Sequence, residues 1–143
     1  MNDTKTSVKD LLKKNGYTCI VLKDGFCFCS NKRGVSPLIS LYDKKGIQSG
    51  AYVADKVVGK AAAFIYALLD VKYVFCEVIS VAALEVLERY GIDSDFEECV
   101  PAISNRDNTD VCPMEKAVLN IGDPYSALDA IRKKQIELKS LKK

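Results

Sequence analysis

The chain has 143 residues, of which 48% are hydrophobic and 28% are charged, a composition typical of one globular domain with its own core. Its 21 basic and 19 acidic residues leave a net charge of +2, which is too balanced to indicate a nucleic-acid-binding protein. No apolar run reaches the about 18–20 residues of a membrane span. The first residues lack the apolar segment of a signal peptide. We therefore expect a cytoplasmic protein that needs neither a membrane nor nucleic acid, and self-association is left open.

The first predicted elements are a helix over residues 8–14 and a hairpin with strands over residues 17–22 and 26–30. Asp24 and Gly25 between the strands are typical of a type I′ turn. This turn predicts three cross-strand pairs: Ile20 with Cys29, Leu22 with Cys27, and Val21 with Phe28. Both hairpin faces are then apolar, so we expect helices on both sides and place Cys27 and Cys29 in the core.

A short helix is predicted next, with Ser36 as its N-cap and Pro37 as its first residue. The central helix is predicted over residues 54–69, and it is apolar on nearly all sides, which indicates burial. Lys56 and Lys60 are four residues apart and would share one face of its first turns.

Two cations at a helix start repel each other and oppose the helix dipole, unless an anion meets them. We therefore expect this start, with Asp55, Lys56 and Lys60, to bind an anionic ligand. Two alternatives remain: the lysine stems cover apolar surface, or the ammonium groups pair with acids such as Asp55 or Glu115. Gly59 indicates close packing or a ligand near the backbone.

The second half predicts a strand over residues 72–79, a helix capped by Ser80 and ended by Gly91, and a short strand over residues 99–103. Two more helices begin at Pro113 and Pro124. A hairpin followed by strands that are reached through helices predicts a single α/β domain with a mixed sheet, a three-layer α/β/α sandwich. In such sheets, ligands bind at the carboxyl ends of the strands.

Further candidate residues lie near these carboxyl ends. Asn105 and Arg106 are in a polar loop, where Arg106 either grips a carboxylate or phosphate or pairs with a neighbouring aspartate. Cys112 precedes a helix start, where the dipole lowers a thiol's pKa, so it is either a candidate nucleophile or a buried, inert thiol. The simplest interpretation of Glu115 is a carboxylate that stabilises a helix start, and that of Ser80 is an N-cap. We predict Cys112 to be the most reactive of the six thiols.

The available residue types limit the chemistry. There is no histidine, which excludes Ser-His-Asp triads, Cys-His dyads and imidazole-based zinc sites. The six cysteines contain no C-x-x-C pair and are expected to be reduced, so a zinc site of cysteines alone is the less simple interpretation. The sequence therefore predicts no metal and no cofactor.

Four motifs carry a resemblance that covers about residues 11–131: residues 33–38, residues 54–62, Asn105-Arg106 and residues 112–115. In these motifs the chain resembles a small bacterial family, domain of unknown function 1893, and more widely the cytidine deaminase-like fold. Zinc deaminases of that fold carry His or Cys and then Glu at the start of the central helix, and Pro-Cys-x-x-Cys at the next helix start. The corresponding residues here are Asp55 and Val57, then residues 79–83, so the resemblance implies no zinc-activated water.

Three functions remain open, and the sequence does not decide whether the protein is an enzyme. The leading hypothesis is a zinc-less deaminase-like domain that binds a small anionic metabolite, with nucleotide-like molecules among the candidates. The second is a metal-independent enzyme that uses Cys112 or a lysine. The third is a protein-interaction domain whose pocket is vestigial. The residues predicted to bind the ligand are Asp55, Lys56, Lys60, Ser80, Asn105, Arg106, Cys112 and Glu115.

Overall fold

The structure, a computed structural model, describes residues 2–24, 26–32, 34–44, 49–104 and 110–141. Within these residues, five strands form one mixed sheet in the order β2-β1-β3-β4-β5. The elements are α1 (Asn2–Asn15), β1 (Cys19–Lys23), β2 (Phe26–Ser30), α2 (Ser36–Asp43), β3 (Tyr52–Val58), α3 (Lys60–Leu68), β4 (Tyr73–Ser80), α4 (Val81–Arg89), β5 (Asp93–Val100), α5 (Pro113–Ala117) and α6 (Pro124–Leu141).

The hairpin β1–β2 confirms the register predicted from its turn. Ile20 lies opposite Cys29 and Leu22 opposite Cys27 in an antiparallel pair, whereas Gly25 of the turn itself lies outside the described residues. β1 is also antiparallel to β3, and β3, β4 and β5 are parallel to one another. The predicted mixed α/β sheet is therefore confirmed.

Two hydrophobic clusters lie against the sheet. In the smaller cluster, Val8 and Leu12 of α1 pack with Ile20, Ala54 and Phe75. The larger cluster contains the strand residues that alternate with those of the smaller cluster, among them Val21, Val53 and Val74. These side chains pack against α2 to α6. Because successive side chains of a strand point to opposite sides, α1 lies on one face of the sheet and the larger cluster on the other.

The predicted central helix over residues 54–69 is wrong in its first turns. Tyr52–Val58 is strand β3, and the helix α3 begins at Lys60 after Gly59, whose backbone is extended. β3 lies between β1 and β4, so its backbone groups are satisfied by ladders on both sides. A short apolar run gives no periodicity that separates a buried strand from a buried helix, and here the neighbouring strands decide.

The prediction that Cys27 and Cys29 lie in the core is also wrong, because both are exposed. α1 packs on β1, β3 and β4, whereas β2 is the edge strand and exposes alternate residues, these two cysteines among them. The correct pairing register therefore did not imply burial. An edge strand is covered only as far as the neighbouring helix reaches.

The predicted strand over residues 99–103 overlaps only the last two residues of strand β5. It runs from Asp93 to Val100 instead of over residues 99–103, and it is the other edge of the sheet. Half of its residues are acidic and most are exposed, so it lacks the apolar pattern of a buried strand. Pairing with β4 orders it nevertheless, since the backbone ladder does not depend on side-chain hydropathy.

Several helix boundaries follow the predicted chemistry. The Ser80 Oγ accepts a hydrogen bond from the backbone N–H of Ala83 at 3.1 Å and caps α4, and Gly91 follows the end of α4 with a φ of 71°. Pro113 and Pro124 begin α5 and α6 as predicted. At α2 the prediction is off by one residue: Val35 is the N-cap, and the Ser36 Oγ instead accepts a hydrogen bond from Gln135 Nε2 at 2.8 Å.

In the described residues, no helix is both long and apolar enough to cross a membrane.

Candidate functional site

Two helices begin at the same edge of the sheet. β3 and β4 are parallel neighbours, with Val58 beside Ile79, and α3 and α4 follow directly after them. Their first turns therefore lie next to each other at the carboxyl ends of the strands, where open α/β sheets place their ligands. We call this region, with Gly59, Lys60, Ser80 and the Glu115 side chain, the carboxyl edge.

A carboxylate from elsewhere in the chain occupies the start of α3. Glu115 Oε1 accepts a hydrogen bond from the backbone N–H of Lys60 at 2.6 Å, and Oε2 accepts one from Ala61 at 3.0 Å. The N-cap residue Gly59 has no side chain to cap this helix. Glu115 thus satisfies two of the N–H groups that a helix start leaves without a partner, and its charge suits the positive end of the helix dipole.

Gly59 makes room for this carboxylate. A Cβ atom at position 59 would lie 2.5 Å from both Glu115 carboxylate oxygens, far inside van der Waals contact. The predicted close packing at this glycine is therefore confirmed. The close neighbour is a side chain of the protein itself.

The two lysines do not share a helix face. Lys60 is the first residue of α3; its Nζ donates a hydrogen bond to the Leu119 carbonyl at 3.0 Å and lies 5.7 Å from the centre of the Phe64 ring. Lys56 is a half-buried residue of β3 and forms no ion pair within the part of the chain that the structure describes. The predicted pair of cations at one helix start is therefore wrong, because β3 extends through Lys56.

Asp55 lies in the core beneath α3. The Tyr66 hydroxyl donates a 2.6 Å hydrogen bond to Asp55 Oδ2, and the Val57 backbone N–H is 3.4 Å from Oδ1. Burial raises the pKa of the Asp55 carboxyl to about 7, although these hydrogen bonds act in the opposite direction. The Asp55 carboxylate thus accepts its hydrogen bonds from groups within the protein.

The surroundings of Asp55 include groups that the sequence did not single out. Cys19 of β1 and Cys76 of β4 flank Asp55 in the sheet, and the Cys19 sulfur lies 3.4 Å from the Tyr66 hydroxyl. Burial raises the pKa of both thiols. The sequence carried a signal of this polar cluster in Tyr66, a tyrosine within the apolar part of α3, since a buried hydroxyl needs a partner.

The remaining candidates, Asn105, Arg106 and Cys112, precede α5 in the chain. Cys112 is the N-cap of α5, is half-buried, and donates a 2.8 Å backbone hydrogen bond to the Ile103 carbonyl. Asp110, one possible partner of Arg106, pairs with Lys116. Asn105 and Arg106 lie outside the described residues, so their contribution stays a prediction. Cys112 is less accessible than three other thiols, since Cys99 is exposed, as are the two cysteines of β2; its predicted reactivity stays a prediction.

Within the described residues, the carboxyl edge offers backbone donors and the carboxylate of Glu115. Among the described residues, no group of three Cys, Asp or Glu side chains is arranged to hold a metal ion. A surface groove with a volume of about 420 Å³ lies at the other end of β3, against Leu22, Phe26 and Tyr52, and not at the carboxyl edge. The chemistry at the carboxyl edge is therefore that of an anion held by helix N–H groups, and in this structure the anion is Glu115.

These observations define the class as an α/β domain with a mixed five-stranded sheet and two helix starts side by side. A family model described as TM1506, domain of unknown function (DUF1893), matches residues 7–135, and the chain belongs to this family. It is similar to a solved DUF1893 family protein (TM1506) from Thermotoga maritima, with a TM-score of 0.83 and 28% identity over 96% of this chain and 91% of that chain. No curated protein matches the chain.

Proposed function

We propose that this chain is a zinc-less, cytidine deaminase-like domain that binds a small anionic, nucleotide-like metabolite at its carboxyl edge. One observation carries the proposal: the backbone N–H groups of Lys60 and Ala61 hold the carboxylate of Glu115. Two aligned donors at a helix start recognise phosphate and carboxylate groups alike. The internal carboxylate marks the position that an external anion would take.

The fold supports this assignment. The helix α1 on one face of the sheet and the larger helical cluster on the other fit a three-layer α/β/α sandwich. The start of the helix after β3 is where the resemblance to zinc deaminases implies the metal ligand and the proton-transferring carboxylate. The residues matched to these positions from the sequence, Asp55 and Val57, lie in β3, and the helix start itself consists of Gly59, Lys60 and Ala61, which carry neither thiolate, imidazole nor carboxylate. Binding, and not zinc-dependent hydrolysis, is the function that these residues fit.

In this proposal Glu115 competes with the ligand for the same two donors. Without a ligand, its carboxylate stabilises the start of α3. An anion that displaces it gains the two backbone hydrogen bonds, while the ammonium group of Lys60 donates to the Leu119 carbonyl. The affinity for the ligand is therefore reduced, because the ligand binds only those protein molecules in which Glu115 has left the two N–H donors.

The test is the variant Glu115→Ala, which leaves the backbone N–H groups of Lys60 and Ala61 without their carboxylate partner. We expect this variant to lose about 1–2 kcal/mol of unfolding free energy, the typical value of a helix cap. Inorganic phosphate and a nucleoside monophosphate should then raise its melting temperature more than that of the wild-type protein.

Glu98→Ala is the matched control, because it removes the same charge from an exposed position of β5. Gly59→Ala, whose Cβ enters the anion position, should remove the effect when combined with Glu115→Ala.

A gain in the Glu115→Ala variant no larger than in the Glu98→Ala control would contradict ligand binding at this edge. Glu115 would then act only as a structural cap. A second candidate function, a protein-interaction domain with a closed pocket, is favoured by the same contact, since the position is filled by the chain itself. The cytoplasmic location and any self-association remain predictions.

A further inference from the structure

Two exposed cysteines lie side by side on the edge strand β2. Cys27 and Cys29 are two residues apart, so both side chains point to the same face of the strand. Their sulfur atoms are 3.6 Å apart, and both residues are accessible to solvent. Neither the proposed ligand site nor the core uses them.

The backbone allows these sulfur atoms to approach further. Residues i and i+2 of a strand have Cα atoms about 6.6–6.8 Å apart, at the upper end of the about 4.4–6.8 Å that disulfides span. β2 pairs on one side only, with β1. A small local shortening of β2 therefore disturbs its pairing with one neighbouring strand and not with two.

The other thiols provide the contrast. Cys19 and Cys76 are buried, and burial raises their pKa values. Cys99 is as exposed as the pair but, within the described residues, no second thiol lies in contact with it. Partial burial and the hydrogen bond with the Cys27 thiol raise the pKa of Cys29. A raised pKa makes the Cys29 thiol a weaker nucleophile at neutral pH, so Cys29 is the second thiol to attack in the step proposed below.

We propose that Cys27 and Cys29 form a surface dithiol that is oxidised by low-molecular-weight disulfides to an intrachain disulfide. The Cys27 thiolate attacks one sulfur of the small disulfide, whose S–S bond breaks and releases one thiolate, which takes up a proton. The Cys29 thiol loses its proton and attacks the Cys27 sulfur of this mixed disulfide, and the second small thiol leaves. The protein loses two electrons and two protons, and one small disulfide becomes two thiols.

The test treats the reduced full chain with oxidised glutathione and then measures its intact mass and its alkylatable thiols after unfolding. We expect Cys27 and Cys29 of the wild-type protein to lose two thiols and two hydrogen atoms without keeping a glutathione adduct, whereas any glutathione on the exposed Cys99 stays there, because no second thiol releases it. Cys29→Ser should keep one glutathione on Cys27, because no second thiol releases it. Cys99→Ser is the matched control, since it removes an exposed thiol outside the pair; it should lack any adduct at position 99 and form the same disulfide between Cys27 and Cys29 as the wild-type protein.

Three results would overturn the proposal. The first is a wild-type protein that keeps the glutathione adduct at Cys27, which would mean that Cys29 cannot reach it. The second is a disulfide that peptide mapping assigns to other cysteines. The third is a pair that stays reduced under conditions in which Cys99 becomes modified, which would show that proximity does not make these thiols reactive.

Discussion

The two faces of the sheet are held to their helices by different forces. On the α1 face, the buried apolar side chains are few, with Val8 and Leu12 as the helix's contribution. On the opposite face, α2 to α6 bury a much larger apolar cluster, with Phe64 and Ile65 completely covered. The comparison shows that one sheet combines a face stabilised by packing with a face whose rim is stabilised by charges.

The rim of the α1 face consists of three lysines spaced four residues apart. Lys5 lies 4.8 Å from the centre of the Tyr73 ring, and Lys9 lies 5.0 Å from that of Phe75. Lys13 bridges two acids, Glu97 of β5 at 2.7 Å and Glu77 of β4 at 3.5 Å. Cation–π contacts and exposed ion pairs are weaker than apolar burial and depend on salt.

The largest effect is expected in the packed face. Phe64→Ala should lower the free energy of unfolding by about 3–5 kcal/mol, because it leaves a cavity in the larger hydrophobic cluster. Leu12→Ala should cost about 2 kcal/mol, the low end of its range, since α1 can move into the space. Urea denaturation of both variants measures the difference. Equal losses would show that the α1 face is packed as firmly as the other.

The next effect concerns Asp55 in the packed face. Burial raises its carboxyl pKa from 3.8 to about 7. Between pH 4 and pH 7, the unfolded carboxyl is ionised while the folded one keeps its proton, so the folded state binds more protons and stability falls as pH rises. Below pH 4 and above pH 7 this group adds no further pH dependence. We expect a fall of a few kcal/mol across this range.

Asp55→Asn is the variant that isolates this contribution. It cannot ionise, so its unfolding free energy should fall less between pH 4 and pH 7 than that of the wild-type protein. Denaturant titrations at several pH values give the two profiles. Parallel profiles would mean that Asp55 stays ionised in the fold, held by Tyr66 and the backbone.

The smallest effect is expected on the charged rim. Lys13→Met keeps most of the apolar stem and removes the ammonium group between Glu77 and Glu97. The melting temperature should decrease slightly at low salt, and the difference from the wild-type protein should vanish as salt screens the pairs. Lys14→Met, one residue further round the exposed side of α1, is the control. A difference that persists at high salt would indicate packing of the Lys13 stem instead.

The sequence alone determined the features that depend on neighbouring residues. The hairpin register follows from a two-residue turn, and the starts of α4, α5 and α6 follow from Ser80, Pro113 and Pro124. The absence of histidine and of a C-x-x-C pair limits the chemistry before any fold is known. Glu115 was a candidate as a helix-start residue and as one possible partner of Lys56 or Lys60, but its contact with the backbone N–H groups of α3 was not foreseen.

Only the tertiary structure decided where the strand β3 ends and which helix start receives the carboxylate. Residues 54–58 are compatible with a buried helix or a buried strand, and pairing with β1 and β4 selects the strand. Glu115 reaches α3 across more than 50 residues of chain, a distance over which no local pattern carries information. The exposure of Cys27 and Cys29 was decided in the same way, because the reach of α1 over the sheet determines which strand is left uncovered.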